Sequence, residues 1–410
     1  MIHRFSVSNY HSIREEVALD LRIPATAPDL PRFQRSVAKP EIRLPTVAVL
    51  MGPNGSGKTT LLRALTAVAR VVSFPLQSEE VSLTKAIMPF ASGQTLDKPS
   101  RFRLEVEADW LAPNEAPQVF RYELAVGGQT SDFRNALFCH ESLTYFPRGR
   151  ARRIFERRGP DEPIQISKAI SNELGLGSKN LRAIRGESSV IASLALLNVP
   201  VATRIAEWLM EVAATSNVFF TETWIPPTGH VTNLLRKNAG LMAWARKHLQ
   251  SSDLGISGVD VRDATSADKE PWQAVWFEHH DLGTALPLAM ESSGTKRLFH
   301  LLPQLHIALE KGVPAIVDEI DGDLHVDIVS EIVDWFHSDE ANPKRAQLFV
   351  TSHNVGLLDD LEKEEVFIVE KTRDGATRVH GAQDVRGLRR DARLYPKYRA
   401  GVLGGIPKVG

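Results

Sequence analysis

A glycine-rich loop between an apolar strand and a helix constrains the fold of this chain more than any other feature. The loop reads Gly52-Pro53-Asn54-Gly55-Ser56-Gly57-Lys58-Thr59. It follows the apolar run 46–51, which predicts a buried strand, and it precedes the run 61–65, which predicts the start of a helix. A strand, a loop of this spacing and a helix together are typical of a phosphate-binding P-loop.

The chemistry of this loop suits a bound nucleotide. Glycines let the backbone wrap closely around phosphate, while amides at a helix N-terminus donate hydrogen bonds and the helix dipole favours negative charge. We expect Lys58 to reach the β- and γ-phosphates and the Thr59 hydroxyl to bind Mg²⁺. The predicted ATP-binding residues of the loop are Gly52, Pro53, Asn54, Gly55, Ser56, Gly57, Lys58, Thr59 and Thr60. A glycine-rich turn without a ligand is the alternative.

Charge and cysteine content narrow the class of protein. The 410 residues carry a formal net charge of −1, so any contact with nucleic acid must come from a local patch. The single cysteine, Cys139, cannot form an internal disulfide. The first residues lack the apolar core of a secretory signal, and the apolar stretch 190–199 is too short to cross a bilayer. We therefore expect a cytoplasmic protein without membrane contact.

The spacing of apolar residues changes along the chain and predicts an α/β fold. Residues 2–21 predict an opening strand pair, and residues 100–160 alternate with period two, which predicts an antiparallel β subdomain. Residues 187–295 predict a helical lobe. Short unbroken apolar strands after residue 295 belong to a mainly parallel core sheet, which residues 1–70 and 295–375 are expected to build together. Residues 376–410 form a glycine-containing tail, and Pro303 predicts a kink or break in the helix that contains it.

Three further segments carry side chains suited to hydrolysis of a nucleotide. Asp318 ends a predicted buried strand, where its carboxylate would hold Mg²⁺ through water, and Glu319 would position the attacking water. His353 ends the next strand, where strand ends of an open sheet converge on a ligand, and would contact the γ-phosphate or the water. Ser292 precedes a helix that it could cap. The alternatives are a plain surface cap for the acidic pair, a structural role for His353, and a capping turn without a ligand at Ser292.

Together these segments resemble the ABC-type ATPase heads of the structural-maintenance and RecF-like superfamily. The stretch 318–325 is similar to their acidic-strand motif and D-loop, 292–295 to a shortened ABC signature, and 5–12 to their first strand and turn. The resemblance implies one P-loop NTPase domain of the ABC type over residues 1–410. It also implies a homodimer that holds ATP between two protomers, so that Ser292 and Gly294 contact the γ-phosphate of the partner's nucleotide.

A narrower resemblance is to bacterial AAA-type ATP-binding proteins of the RloA and AbiL kind, which are associated with phage defence. It rests on the segments 138–143, 253–256, 369–371, 398–401 and 406–407. It implies an effector partner, a nuclease or a toxin, encoded nearby. Glu141 is expected in the Q-loop region of such heads, with a strand residue that contacts no nucleotide as the alternative.

A histidine pair and two basic runs could indicate other functions. The pair His279-His280 with Asp281 is a poor zinc site, because adjacent histidines on a strand point to opposite faces. Two groups of arginines and lysines could contact DNA or RNA, although solvated surface is the usual role of such runs: 148–158 and 386–399.

The leading hypothesis is therefore an Mg²⁺-dependent ATPase that dimerises around ATP and regulates an effector. The alternatives are a RecF-like DNA-repair clamp and a nucleotide-gated scaffold with negligible turnover.

Overall fold

A computed structural model describes most of the chain. The described residues are 1–73, 83–92, 95–111, 116–128, 136–173, 184–219, 227–252, 255–265, 271–280 and 282–406.

The described strands and helices follow one another in this order. The strands are β1 (Ile2–Ser8), β2 (Val17–Asp20), β3 (Phe33–Arg35), β4 (Arg43–Pro45), β5 (Val47–Met51), β6 (Ser100–Ala108), β7 (Gln118–Gly128), β8 (Ala136–Tyr145), β9 (Arg152–Arg157), β10 (Gln165–Ile166), β11 (Ile256–Thr265), β12 (Pro271–His279), β13 (Leu286–Pro287), β14 (Ala315–Val317), β15 (Leu348–Thr351), β16 (Val366–Lys371) and β17 (Thr377–Gly381). The helices are α1 (Lys58–Ser73), α2 (Leu83–Ala86), α3 (Lys168–Glu173), α4 (Val190–Leu196), α5 (Pro200–Ala214), α6 (Thr228–Lys237), α7 (Ala239–Ser251), α8 (Ser293–Lys311), α9 (Val326–His337) and α10 (Leu394–Arg399).

A mainly parallel sheet forms the core and is built from both ends of the chain. Its described strands lie in the order β14-β15-β5-β16-β17, and only β17 runs antiparallel to its neighbour. Every residue of β5, β14 and β15 is buried. Strands buried on both faces are the reason why these segments read as unbroken apolar runs instead of alternating ones. The predicted core sheet is confirmed.

An antiparallel sheet extends beside this core. Its described strands follow the order β10-β9-β8-β7-β6-β1-β2. The opening pair β1 and β2 therefore belongs to the same sheet as the alternating strands after residue 100, since β1 pairs with both β2 and β6. The antiparallel subdomain of the predicted fold class is present.

The helical lobe contains helices α4 to α7 but is not helical throughout. Between α7 and α8 the chain forms an antiparallel sheet of β11, β12 and β13. The predicted helical lobe is therefore wrong over this segment, where Val259 and Val261 alternate with Asp260 and Arg262 in the period of two that favours a strand. Helix α8 runs through Pro303 without interruption, so a break there is wrong, while a kink stays a prediction.

The described part of the chain contains no single helix long and apolar enough to span a membrane. One bent pair, α4 and α5, passes the test of length and composition with an angle of 115° between the two helices.

Candidate functional site

The loop between β5 and α1 adopts a backbone that glycine alone accommodates at two positions. Gly52 has φ +153°, and a Cβ added there would lie 2.0 Å from the carbonyl oxygen of Val369. Gly57 has φ +108°, and its Cβ would lie 2.2 Å from the hydroxyl of Thr377. Both positions therefore require glycine, because a side chain would meet backbone or a packed hydroxyl. The loop is held between the ends of β16 and β17.

Lys58 lies at the first turn of α1 and is buried. Its ammonium donates hydrogen bonds to the carbonyls of Gly52, at 2.8 Å, and Pro53, at 3.1 Å. Burial lowers the pKa of Lys58, and the carboxylates of Asp318 and Glu319 oppose that shift. A partly desolvated cation at a helix N-terminus is suited to binding phosphate, which would supply the missing counter-charge.

The Asp318 carboxylate lies against the P-loop threonine. Its Oδ1 accepts a hydrogen bond from the Thr59 hydroxyl at 3.1 Å and another from the Thr351 hydroxyl at 2.6 Å. The Asn217 amide fixes the backbone on the other side, since its Nδ2 donates to the Asp318 carbonyl at 3.0 Å and its Oδ1 accepts from the Asp318 N–H at 2.7 Å. Asp318 is 1% exposed, so its position is rigidly determined.

Glu319 follows in a conformation that is uncommon for residues other than glycine. Its φ is +51°, in the left-handed region, and its N–H donates to the Thr351 hydroxyl at 2.7 Å. The guanidinium of Arg297, on α8, donates to the carbonyls of Asp318 and Glu319, at 3.1 Å each. These contacts hold the strained backbone while the Glu319 side chain remains exposed.

His353 lies just after β15, with its backbone fixed by a carboxylate. Asp321 accepts hydrogen bonds through Oδ2 from the N–H groups of His353 and Asn354, each at 2.9 Å. His353 itself is exposed. The loop after Glu319 thus positions the loop that carries the histidine.

One cavity of about 710 Å³ brings most of the predicted site residues together. Its described lining is Ser12, Asn54, Gly55, Ser56, Gly57, Lys58, Thr59, Thr60, Glu319, Asp321, Gly322, Thr351 and His353. Gly52 and Pro53 line a neighbouring cavity instead. Asp318 lies buried behind the wall of the first cavity, in contact with Thr59.

The described lining of this cavity does not include Ser292 or Gly294. Ser292 caps α8, because its hydroxyl accepts from the Thr295 N–H at 3.1 Å. Gly294 lies against the carbonyl of Asp323, where an added Cβ would approach to 2.8 Å. Ser292 is exposed, and Gly294 is partly buried. Within one chain, neither Ser292 nor Gly294 lines the P-loop cavity.

The donor set of the cavity fits a nucleotide with Mg²⁺. The Ser56 hydroxyl is buried and has no hydrogen-bond partner among the described residues, although Ser56 lines the cavity. The Thr59 hydroxyl and the Asp318 carboxylate lie within hydrogen-bond distance of each other. The described residues contain no cluster of three or more His, Cys, Asp or Glu side chains able to hold a metal. One or two oxygen ligands completed by phosphates are typical of Mg²⁺ bound with a nucleotide.

The expected place of Glu141 near the nucleotide is wrong. Glu141 is fully buried away from the described lining of the cavity. Its carboxylate accepts from the Tyr122 hydroxyl at 2.9 Å and from the Val190 N–H, which begins α4. Arg157 lies 3.9 Å from it. Burial raises the pKa of Glu141, and Arg157 opposes that shift. The residue therefore joins the antiparallel sheet to the helical lobe.

The two basic groups are less continuous than the sequence indicates. In the first group Arg157 is buried, Arg153 and Arg158 pair with Glu156, and Arg148, Arg150 and Arg152 are exposed. In the second group Arg390 pairs with Glu362 and Glu364, and Arg389 pairs with Asp391.

Three segments named from the sequence lie partly outside the described residues. His279 contacts Glu291 at 2.9 Å, whereas Asp281 lies outside the described residues. Residues 253–254 of the segment 253–256 and residue 407 of the segment 406–407 also lie outside them.

Several residues that build the site had no local sequence signal. Thr377 links the P-loop to the N-terminal turn, since its hydroxyl contacts the Ser56 carbonyl and the Ser12 hydroxyl, each at 2.9 Å. Asn217 and Arg297 also belong to this group. Thr351 and Asn354 lie at the end of an apolar strand beside His353, which is a weak signal, and Asp321 lies in the stretch 318–325 that resembles a D-loop.

Comparisons with known proteins give one family and several similar folds. Residues 47–359 match the family model described as "AAA domain, putative AbiEii toxin, Type IV TA system". A search of curated proteins finds no match.

Among solved structures, an SMC head bound to the C-winged helix domain of ScpA is 13% identical, with 92% of this chain and 96% of that chain covered and a TM-score of 0.45. The SMC head domain from Thermotoga maritima is 14% identical, with 93% and 98% covered and a TM-score of 0.39. An SMC head with an extended coiled coil from Pyrococcus furiosus, bound to the C-terminal domain of ScpA, is 12% identical, with 97% and 98% covered and a TM-score of 0.43.

Proposed function

The chain belongs to this AAA-domain family, and we propose that it binds ATP with Mg²⁺ and hydrolyses the γ-phosphate. One observation carries the proposal. A single cavity is lined by the P-loop with Lys58 and Thr59, by Glu319 at the end of a buried strand, and by His353 at the end of the neighbouring strand. These are the groups that phosphoryl transfer to water requires.

Each residue has a distinct role in this proposal. The loop amides and Lys58 bind the phosphates, while Thr59 and Asp318 hold Mg²⁺, which would neutralise charge on the phosphate oxygens when bound. Glu319 accepts a proton from the attacking water, whose oxygen bonds to the γ-phosphorus as the bond to the bridging oxygen breaks. That bridging oxygen keeps the electron pair and leaves with ADP. His353 donates a hydrogen bond to the transferred phosphate.

We propose that two copies of this ABC-type head close around ATP. The support is the position of Ser292 and Gly294, which begin α8 outside the P-loop cavity of their own chain. The Ser292 hydroxyl occupies the N–H of Thr295, and the start of the helix is exposed. The γ-phosphate of a partner's nucleotide would bind at this exposed start. In this arrangement each site takes its P-loop from one protomer and its signature segment from the other.

We further propose that opening and closing of the dimer restrains or releases an effector, a nuclease or toxin encoded nearby, in cytoplasmic phage defence. The support is the likeness to the RloA and AbiL kind and the family description "AAA domain, putative AbiEii toxin, Type IV TA system".

Two experiments test these proposals separately. The first measures ATP binding and phosphate release by the wild type, by Lys58→Ala and by the exposed control Lys247→Ala. The proposal expects loss of both activities in Lys58→Ala alone, and a wild type that binds no ATP would contradict it. The second identifies the neighbouring reading frame and asks whether its product co-purifies differently with and without ATP. Equal association in both conditions would refute gating by the nucleotide.

A RecF-like DNA clamp is a second candidate, favoured by the exposed side chains of Arg148, Arg150 and Arg152. Binding to DNA through these residues would weaken as salt increases and would be lost when all three are changed to Gln. The exposed Arg236→Gln variant, outside both basic groups, is the matched control. Binding that does not respond to salt or to the triple change would remove this candidate.

A further inference from the structure

The end of the described chain returns to the P-loop. After helix α10, a turn-rich segment brings Gly405 so close that a Cβ added to it would lie 3.6 Å from the Cα of Gly52. The Tyr398 hydroxyl donates to the Gly405 carbonyl at 2.7 Å, and the Gly405 N–H donates to Glu370 at 3.3 Å. These contacts lock the tail onto the strand and loop that carry the phosphate-binding backbone.

The docked tail borders a second cavity next to the first. Its volume is about 590 Å³. Its described lining is Met51, Gly52, Pro53, Asn54, Ser352, His353, Val355, Tyr398, Arg399 and Ile406. Asn54 and His353 line both cavities. The two spaces therefore adjoin at His353, the residue expected to contact the γ-phosphate.

Arg399 differs from the other arginines of the tail. Arg389 and Arg390 form ion pairs with carboxylates, whereas Arg399, like the exposed Arg386 and Arg393, forms no ion pair with any described residue, so its difference from them lies in its position. It is also the one arginine in the described linings of the two cavities. A guanidinium that pairs with no carboxylate and lies at the border of a phosphate site can donate hydrogen bonds to an anion bound there.

We propose that Arg399 contacts the γ-phosphate of ATP bound to its own chain and stabilises the charge that develops on it during hydrolysis. This role rests on the proposed function. Arg399 makes and breaks no covalent bond, because the proton of the attacking water goes to Glu319 and the electron pair of the broken bond leaves with ADP. Its guanidinium serves as an arginine finger supplied in cis, and its contact exists only when a third phosphate is present.

The test compares full-length wild type with Arg399→Ala, Arg399→Lys and the control Lys397→Ala, an exposed lysine on the same helix. Phosphate release gives kcat and KM, and titration with labelled ATP and ADP gives both Kd values. Removing Arg399 is expected to lower kcat by about 100-fold or more, the effect of removing one donor from a preorganised site. In Arg399→Ala the preference for ATP over ADP falls, while the affinity for ADP stays within about twofold of the wild type. Arg399→Lys keeps part of the kcat that Arg399→Ala loses.

Distinct outcomes overturn the two proposals. If the wild type hydrolyses ATP and Arg399→Ala keeps the same kcat and the same preference for ATP, only the role of Arg399 is refuted. Equal loss of ATP and ADP affinity together with a lower Tm also refutes it, because the residue would then only hold the tail in place. A wild type that binds ATP without turnover still tests Arg399 through the ratio of the two Kd values. A wild type that binds neither nucleotide overturns the proposed function and this inference with it.

Discussion

The Thr59 hydroxyl donates a hydrogen bond of 3.1 Å to the Asp318 carboxylate across 259 residues of sequence. The contact exists because β14 and β5 flank β15 in the same parallel sheet, so that their carboxyl ends lie at one edge. Open α/β sheets bind ligands at that edge. The pairing of a hydroxyl with a carboxylate there is the geometric basis for expecting Mg²⁺.

Asp318→Asn is predicted to weaken the affinity for Mg²⁺ while leaving the fold intact. An amide oxygen can still accept from the Thr59 and Thr351 hydroxyls, but the negative charge that attracts the cation is lost. The Mg²⁺ concentration for half-maximal ATPase activity should rise by about tenfold or more. Titration of ATPase activity against Mg²⁺ measures this half-maximal concentration, with the exposed Asp334→Asn variant as control. An unchanged titration curve would show that Asp318 does not act on the cation.

Glu319→Gln is predicted to retain ATP binding and to lose turnover. The exposed side chain lines the cavity without supporting the fold, and Gln cannot accept the proton of the attacking water. Loss of a general base lowers kcat by about 10²–10⁴-fold. Single-turnover phosphate release and equilibrium ATP binding separate the two effects, with the exposed Glu340→Gln as control. Equal turnover by the variant and the wild type would refute the role of Glu319.

Arg297 is predicted to position Glu319 from α8. Its guanidinium donates to the carbonyls of Asp318 and Glu319, so it supports a left-handed residue next to the cavity. Arg297→Ala should lower kcat by about tenfold with little change in ATP affinity, and Lys, which lacks the fork, should rescue only part of it. The exposed Arg236→Ala is the control. A variant whose KM rises while kcat holds would assign Arg297 to nucleotide binding.

The sequence predicted the parts of the site that follow local rules. A P-loop has a fixed spacing, and polar residues at the ends of apolar strands meet at one sheet edge, so Lys58, Glu319 and His353 could be placed in one cavity beforehand. The parallel core and the antiparallel sheet followed from whether apolar residues run unbroken or alternate.

The rest depends on contacts between distant segments that carry no motif. Asn217 reaches the backbone of Asp318 because the segment 215–217 joins the edge of the core sheet beside β14. Glu141 lies in a segment that resembles a nucleotide-binding region, but its neighbour Arg157 and the start of α4 bury it elsewhere. Neither pairing has a spacing that a single sequence reveals.

Acid is predicted to destabilise the protein through Glu107. Burial alone would raise the pKa of Glu107, but the ring of His3, the Ser36 hydroxyl and the amides of Val37 and Ala38 lower it to about 2. A folded-state pKa below the ordinary value contributes stability that is present above about pH 4.5 and is lost as pH falls toward 2. After allowance for solvent screening the contribution is on the order of 2 kcal/mol.

Denaturant unfolding between pH 6 and pH 3 measures this effect. Glu107→Gln should lower stability near neutral pH and flatten the acid side of the stability curve, because the titrating group is absent. The exposed Glu340→Gln should follow the wild type. A Glu107→Gln curve parallel to that of the wild type would place the acid sensitivity elsewhere.

Mixing two inactive variants is predicted to restore activity if ATP is shared between protomers. Lys58→Ala removes the P-loop cation of its own chain, and Ser292→Glu places negative charge at the exposed start of α8, where a partner's γ-phosphate would bind. In a mixed dimer one site combines both defects, and the other combines an intact P-loop with an intact signature segment. ATPase activity measured against mixing ratio should therefore peak at an equal mixture, whereas either variant mixed with itself stays inactive. Activity that never exceeds that of the separate variants would show that each chain completes its own site.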